Sequence, residues 1–274
     1  MRTRKRFGQH FLEPAWVLKL VAAINPSSNE VFLEIGPGRG ALTLALAPHV
    51  KHIVGVEVDR DLAAALRQAA PRNVTVIDGD FLDADVTEVL TTVVAGLRPG
   101  GDASPTLRAD GNLPYNLSTP ILFRLLKLAD DGRLIRDATL MLQREVADRL
   151  AASPGSRTWG VLSACQQLRA DVQMLLALPP GAFRPAPKVR SAVARLRYHP
   201  PGPEMGDPAL FDALVRAIFM QRRKVLDNAL EPFAASHGMA APQALSAAGL
   251  DGRRRPETLS LRELAELAKV FASG

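Results

Sequence analysis

The sequence holds a single cysteine in 274 residues, Cys165, so neither an intrachain disulfide nor a cysteine-built metal cluster is available. Such cysteine usage fits a reducing compartment, and a cytoplasmic location is expected. No run reaches the ~18 uninterrupted apolar residues that a membrane span requires. The N-terminus, Met1-Arg2-Thr3-Arg4-Lys5-Arg6-Phe7-Gly8, lacks the apolar core of a signal segment, so no membrane partner is expected. Internal repeats and long low-complexity tracts are also missing. Acidic residues fall short of basic ones, 28 against 34, for a formal charge of +6. An excess of Lys and Arg gains affinity for polyanions by releasing condensed counterions, which makes ribosomal or other nucleic acid the first candidate partner. The same mild excess also serves solubility alone.

What is present is an alternation of short β-branched runs with helical segments, the pattern of βαβ units and a parallel sheet in an α/β domain. Strands are expected at 31–35, 52–57, 74–77, 106–110, 139–142, 172–178 and 191–198. Helices are expected at 41–46, 62–69, 86–95, 121–128 and from 145 to 150, with a surface excursion at 98–105. Pro200-Pro201-Gly202-Pro203 reads as a domain boundary. Beyond it, Asp207-Pro208 is an N-cap with proline in the first turn, and Ser260 with Glu263 forms a capping box. The expected organisation is a catalytic domain over 1–199 and a small all-helical domain over 204–274.

Glycines at Gly36, Gly38 and Gly40 follow the first strand, where backbone can approach a ligand closely and a helix N-terminus offers free N–H groups. Glu57 ends the second strand 21 positions after Gly36, the separation at which a carboxylate commonly accepts ribose hydroxyls. Asp80, after the third strand, suits the amino group of an adenine. This order implies a nucleoside cofactor. The glycine spacing is not G-x-G-x-x-G, and Pro37 removes an amide that a pyrophosphate would use, which favours S-adenosylmethionine over NAD. Asn112-Leu113-Pro114-Tyr115, just after the fourth strand, combines an amide, a backbone carbonyl and an aromatic ring. Asn112 Oδ1 and the Pro114 carbonyl are expected to accept both N–H bonds of an exocyclic amine while Tyr115 stacks on the base. The same four residues also suit a turn with a buried tyrosine.

Several ordered motifs, running nearly end to end, carry a more specific likeness. They are Arg6-Phe7-Gly8-Gln9-His10-Phe11-Leu12, Glu34-Ile35-Gly36-Pro37-Gly38, Gly111 to Pro120, Gln143-Arg144-Glu145-Val146-Ala147, Phe183 to Val193, and Arg222-Arg223-Lys224. On them the chain resembles the S-adenosylmethionine-dependent small-subunit rRNA adenine N6-dimethyltransferases, the KsgA-type enzymes. The resemblance implies a Rossmann-like class I methyltransferase sheet with a C-terminal helical domain. It implies that His10, Leu12, Gly36, Gly38, Glu57, Asp80 and Asn112 line the cofactor pocket, His10 standing where the family often has Asn. It further implies dimethylation of two neighbouring adenosines in the terminal hairpin of small-subunit rRNA.

Transfer from a sulfonium needs mainly alignment, worth up to ~7–11 kcal/mol, and no metal. The expected catalytic group is Asn112, Pro114, Tyr115 and Phe183, with Tyr115 and Phe183 sandwiching a base that has left its stack. Phe183 equally suits a hydrophobic anchor of its Pro-rich loop. Arg184, Lys188, Arg190, Arg195 and Arg197 lie in a stretch without acidic residues, and with Arg222, Arg223 and Lys224 they are expected to track phosphates. Partners are expected to be small-subunit rRNA or the immature 30S subunit, bound by a monomer. Rival readings are a large-subunit adenine dimethylase of the antibiotic-resistance type, a non-catalytic ribosome-assembly factor, and an NAD-dependent oxidoreductase, the last having no use for the segment from Asn112 to Tyr115.

Overall fold

Fully buried apolar runs pair side by side because a parallel strand covered on both faces has no solvent side to spend polar residues on. The computed structural model describes residues 10–96, 107–131 and 134–272; the basic N-terminal residues and the excursion at 98–105 lie outside these. In chain order the first elements are β1 (Phe11–Leu12), α1 (Pro14–Ile24), β2 (Val31–Ile35), α2 (Ala41–Leu46), β3 (His52–Glu57), α3 (Arg60–Ala69), β4 (Val74–Asp78) and α4 (Ala84–Gly96). They are followed by β5 (Leu107–Asn112), α5 (Ser118–Asp130), β6 (Ile135–Gln143), α6 (Arg144–Leu150), α7 (Val161–Gln167), β7 (Ala170–Leu178), β8 (Phe183–Arg184) and β9 (Ser191–Tyr198). Seven strands form one sheet in the order β4-β3-β2-β5-β6-β9-β7, and β1 pairs with β8 in a separate two-stranded ribbon. Strands β4 through β6 run parallel, whereas β9 is antiparallel to β6. Helix α1 fills 14–24, where the sequence reading had no element; Pro14 starts it and Val17, Leu20 and Ile24 form its buried face.

The pleat sends Phe32 and Glu34 of β2, Arg108 and Asp110 of β5, and Asp137 and Thr139 of β6 to one face, since they are register partners two residues apart. That face carries α1 and α2: Val17, Leu20 and Ile24 pack with Phe32, Leu42, Leu46, Ile53, Met141 and Val193 in one cluster. Where the apolar packing stops, arginines take over. Arg108 Nε donates to both Asp137 oxygens at 3.0 and 3.1 Å, its Nη1 to Glu30 at 2.8 Å and its Nη2 to the Ile24 carbonyl at 2.9 Å. Arg195 Nη2 donates to the carbonyls of Ala23 and Ile24 at 2.7 and 3.0 Å, satisfying the last turn of α1. Burial would raise the Glu30 carboxyl, but the bonds from Arg108 and Arg136 outweigh it and hold Glu30 below its ordinary value. Arg195 is therefore a buried structural cation, not the phosphate contact expected of it.

The chain divides into two compact units, Met1–Ala147 with Val172–Tyr198, and Asp148–Asp171 with His199–Gly274. This differs from a boundary at 199 to 204 because residues 148–171 bond to each other and to the C-terminal helices. Within the second unit, α7 is joined by α8 (Pro208–Met220), α9 (Leu226–Ser236), α10 (Ala241–Ala247) and α11 (Leu261–Ala272). The Gln167 amide donates to the carbonyls of Leu150 and Ala152 at 2.6 and 2.7 Å, and Gly155 N–H donates to the Glu257 carbonyl at 2.7 Å. Arg169 pairs with Asp212, and Trp159 is fully buried. The expected caps form: Asp207 Oδ1 accepts the Ala209 N–H at 2.9 Å, and Ser260 and Glu263 bond reciprocally at 2.8 and 3.2 Å.

Replacing Arg108 by Leu takes the buried guanidinium from Asp137 and Glu30, leaving them only the half-exposed Arg136, and removes one of the two arginines that hold the end of α1. A loss of ~3–5 kcal/mol in urea unfolding is expected, the scale for breaking a buried ion pair from one side. A loss below about 1 kcal/mol, the worth of a surface pair, would refute this account of the network.

Candidate active site

A cavity of about 440 Å³ opens at the carboxyl ends of β2, β3, β4 and β5, within the range of small-molecule sites. Gly36, Gly38, Glu57 and Asp80 line one part of it, and Asn112, Leu113, Pro114 and Tyr115 another; His10 and Leu12 also line it. The β2–α2 turn is left-handed at Gly36, with φ +69°, and a Cβ added there would meet nothing within 4 Å, so the bare backbone faces open space. Glu57 is 3% exposed and fastened by two backbone donors, Gly38 N–H at 2.8 Å and Asp59 N–H at 2.9 Å. Burial nevertheless pushes its carboxyl above the ordinary value. The carboxylate keeps acceptor capacity for a further donor. Asp80 is oriented by the Leu82 N–H, which donates to Oδ1 at 2.9 Å.

In the other part of the cavity, Asn112 Nδ2 donates to the His10 carbonyl at 2.7 Å, which assigns the amide and leaves Oδ1 as an acceptor. His10 Nδ1 donates to the Pro185 carbonyl at 2.7 Å, and the imidazole lies against Tyr115 with centroids 5.7 Å apart and planes inclined by 27°. The Tyr115 hydroxyl meets the Ser191 hydroxyl at 3.0 Å, so the ring is held at its edge and at one face.

Three expected site residues stand differently in the structure. The Pro114 carbonyl already accepts the Leu117 N–H and the Ser118 hydroxyl, both at 3.0 Å, which fills the two lone pairs an amine would need. The neighbouring Leu113 carbonyl accepts no hydrogen bond among the described residues, and Leu113 lines the cavity. Phe183 is 1% exposed, packed with Val17, Phe32 and Met141, and is not among the lining residues; it anchors its loop under β1 instead of facing a base. Arg222 donates to the carbonyls of Ser156 and Arg157 at 3.1 and 2.9 Å and lies 3.9 Å from Glu257, so its guanidinium braces the second unit. Arg184 is exposed but pairs with Glu13 at 3.1 Å, whereas Lys188, Arg190, Arg223 and Lys224 are simply exposed.

Sequence reading gave no role to two buried carboxyls. Glu34 and Asp110 are register partners on β2 and β5, 2% and 0% exposed, and Glu34 lines the cavity. Glu34 Oε2 and both Asp110 oxygens have no hydrogen-bond partner. Burial, reinforced by the Glu57 charge and opposed by Thr43, pushes Glu34 up to about 7. Burial and the Glu34 charge push Asp110 well above its ordinary value. The visible signal for Asp110 was a charge inside an otherwise covered parallel strand.

Two outcomes follow from this geometry. Phe183→Ala is expected to cost ~3–5 kcal/mol in urea unfolding, as for a buried aromatic; a near-neutral change would put the ring back at the surface. The raised carboxyls also set a pH dependence. Between 4.5, the ordinary Glu value, and about 7 the folded protein holds protons that the unfolded chain has lost, so its melting temperature falls as pH rises through that window. Glu34→Gln flattens the fall; an unchanged slope in that variant would exclude Glu34 as its source.

The comparisons with known proteins agree with one another. A model of the ribosomal RNA adenine dimethylase family matches residues 1–272. The ribosomal RNA small subunit methyltransferase A of Nitrosococcus oceani is 43% identical over 275 residues, covering 98% of this chain and 96% of the relative. Its counterpart in Geobacter sulfurreducens is 43% identical over 284 residues, covering 100% and 97%. A dimethyladenosine transferase from Plasmodium falciparum superposes with a TM-score of 0.72 at 21% identity, over 94% of this chain and 96% of that one. The 23S rRNA methyltransferase ErmE gives 0.65 at 22%, over 95% and 99%, and with it shares the fold expected for a class I methyltransferase. With its motifs, strand order and relatives in agreement over nearly the whole length, the chain belongs to the ribosomal RNA adenine dimethylase family.

Proposed function

We propose that this protein transfers methyl groups to N6 of two adjacent adenosines in the 3′-terminal hairpin of small-subunit rRNA, giving N6,N6-dimethyladenosine. Family membership makes the protein an S-adenosylmethionine-dependent rRNA adenine dimethyltransferase. The observation that carries the finer reading is the Asn112 amide, turned by the His10 carbonyl so that Oδ1 is left to accept, next to a braced Tyr115 on the same cavity wall. S-adenosylmethionine supplies an electrophilic methyl group when bound. The residues present fit it: Glu57 has lone pairs for a ribose diol, Asp80 Oδ2 for an adenine amine, and Gly36 opens the turn for close approach.

The target amine is a weak nucleophile because its lone pair is delocalised into the purine. Asn112 Oδ1 accepts one N–H and the Leu113 carbonyl the other, which fixes the amine's approach, and Tyr115 stacks on the base with the face that His10 leaves uncovered. Pro114 stiffens the turn by its fixed φ. No side chain needs to act as a nucleophile, and positioning carries the acceleration.

Exposed Arg184, Lys188 and Arg190 of the first unit and Arg223 and Lys224 of the second are the phosphate contacts of this reading. The partner is an immature 30S subunit, engaged by a monomer in the cytoplasm; the lone buried thiol of Cys165 fits that compartment. Among the described residues no helix is long and apolar enough to cross a membrane.

The deciding assay incubates labelled S-adenosylmethionine with unmethylated small subunits, then digests the rRNA to nucleosides and maps the modified positions by primer extension. Labelled dimethyladenosine at two neighbouring positions of the terminal hairpin is expected; none there sinks the reading, and label in large-subunit rRNA would point to the other branch of the fold. Asn112→Ala is expected to slow single-turnover transfer by ~10²-fold through lost alignment. Salt should weaken rRNA binding steeply, and Lys188→Ala should reduce the slope of log affinity against log salt by about 1. A slope near zero would discard the electrostatic account.

A further inference from the structure

Beneath the cavity wall, two carboxyls sit side by side without the partners that buried charges normally require. Glu34 and Asp110 occupy paired positions on adjacent parallel strands, spaced about 4.8 Å apart, so both side chains leave the sheet on the same face. The three oxygens Glu34 Oε2, Asp110 Oδ1 and Asp110 Oδ2 are buried and unpartnered. Arg108, the cation that acts on Asp110, is already committed to Asp137, Glu30 and the Ile24 carbonyl. The other charged groups that bear on the pair are negative: Glu57 of β3 faces Glu34, and Asp137 of β6 acts on Asp110 from the other side. Helix α2 contributes only the neutral Thr43 to this environment, and the cavity wall also carries His10, Arg39 and Asp80. Two like charges this close in a dry site cannot both ionise without a compensating cation.

We propose that Glu34 and Asp110 hold a shared proton in the cofactor-free protein and release it when the sulfonium donor binds, so that the pair selects the cationic donor over its neutral by-product. The sulfonium of S-adenosylmethionine carries a positive charge that is lost when its methyl group leaves, since S-adenosylhomocysteine is a thioether. A cation brought to the Glu34 wall stabilises the doubly ionised pair; the proton passes to solvent, and no bond other than O–H breaks. After transfer the cation is gone, the pair takes a proton back, and the by-product is held less tightly. The upward displacement of both carboxyls by burial agrees with this assignment. The inference rests on the cavity being the S-adenosylmethionine pocket and adds a proton-linked preference to it.

The test is calorimetric titration of the whole protein with S-adenosylmethionine and with S-adenosylhomocysteine, from pH 6 to 8, in two buffers of different ionisation enthalpy. Both ligands carry the same α-amino group, so its titration cancels in the comparison. Excess proton release with the sulfonium ligand is expected. The affinity ratio of donor to by-product should rise with pH, by up to about tenfold per unit where one full proton is released. Asp110→Asn keeps the shape and removes the like charge, leaving burial and Glu57 alone to hold a proton on Glu34, so the excess release should shrink. Glu34→Gln should abolish it. Equal release with the two ligands in the unmodified protein overturns the inference without any variant, as does Asp110→Asn behaving like the parent. Failure of S-adenosylmethionine to bind at any pH, a different result, overturns the cavity assignment and the inference with it.

Discussion

The pairing of β2 with β5 at the centre of the sheet is the constraint on which the site depends. Ile35 lies opposite Gly111, and a Cβ at Gly111 would sit 2.5 Å from the Ile35 carbonyl oxygen, so only glycine allows the strands to run this close at their carboxyl ends. One residue further along each strand the two functional loops begin, the glycine turn at Gly36 and the clamp at Asn112. Their separation is thereby set by backbone hydrogen bonds and not by side-chain packing, which is the stiffer of the two ways to hold a methyl donor and an amine in line. The Leu113 N–H donating to the Met141 carbonyl at 3.2 Å extends that registration one residue into the clamp.

The same sheet face treats buried charge in two opposite ways. At its amino-terminal side, Arg108 and Arg195 are saturated with carboxylates and carbonyls, and they fix α1 against the sheet. At its carboxyl side, beneath the cavity, Glu34 Oε2 and both Asp110 oxygens go without partners. The first arrangement is what folding favours, every buried donor being matched. The second costs stability and persists next to the pocket, where a cationic ligand supplies the missing charge.

Most of the architecture was legible in the sequence because hydrophobic runs bounded by Gly, Pro and Asp announce parallel strands, and 31–35, 52–57 and 191–198 match β2, β3 and β9 residue for residue. Helix α1 escaped because its start, Glu13-Pro14, makes no side-chain cap and its Leu18 is exposed, which blurs the apolar face. The cavity lining was also legible: His10, Leu12, Gly36, Gly38, Glu57, Asp80, Asn112 and Tyr115 meet in one place, since loops at the ends of neighbouring strands must converge. What failed depended on three-dimensional accounting. Pro114 has a carbonyl on paper, but the turn into α5 uses it up. Phe183 suits either a base platform or a loop anchor in the sequence, and the pairing of β8 with β1, which draws it inward, favours the anchor. Arg222 looks like a phosphate ligand until the carbonyls of Ser156 and Arg157, 66 and 65 positions earlier, claim its donors. Those partners also explain why 148–171 joins the helical unit, a grouping no local composition announces.

A clamp built from acceptors alone bears on the course of two successive transfers. In the proposed reading the unmodified adenine amine offers two N–H donors to Asn112 Oδ1 and the Leu113 carbonyl; after one methyl group is added it offers one, and after two it offers none. The acceptors do not change, so each addition leaves one more of them unpaired, at about 1–3 kcal/mol for a buried group without water. The monomethylated base keeps one bond and its stacking on Tyr115, which suffices to hold it for a second alignment. The dimethylated base keeps only stacking, worth ~1–3 kcal/mol, against the recovered stacking of its own helix. On the proposed roles of Asn112 and Leu113, the hydrogen-bonding that selects an amino group as substrate also weakens the hold on the finished product.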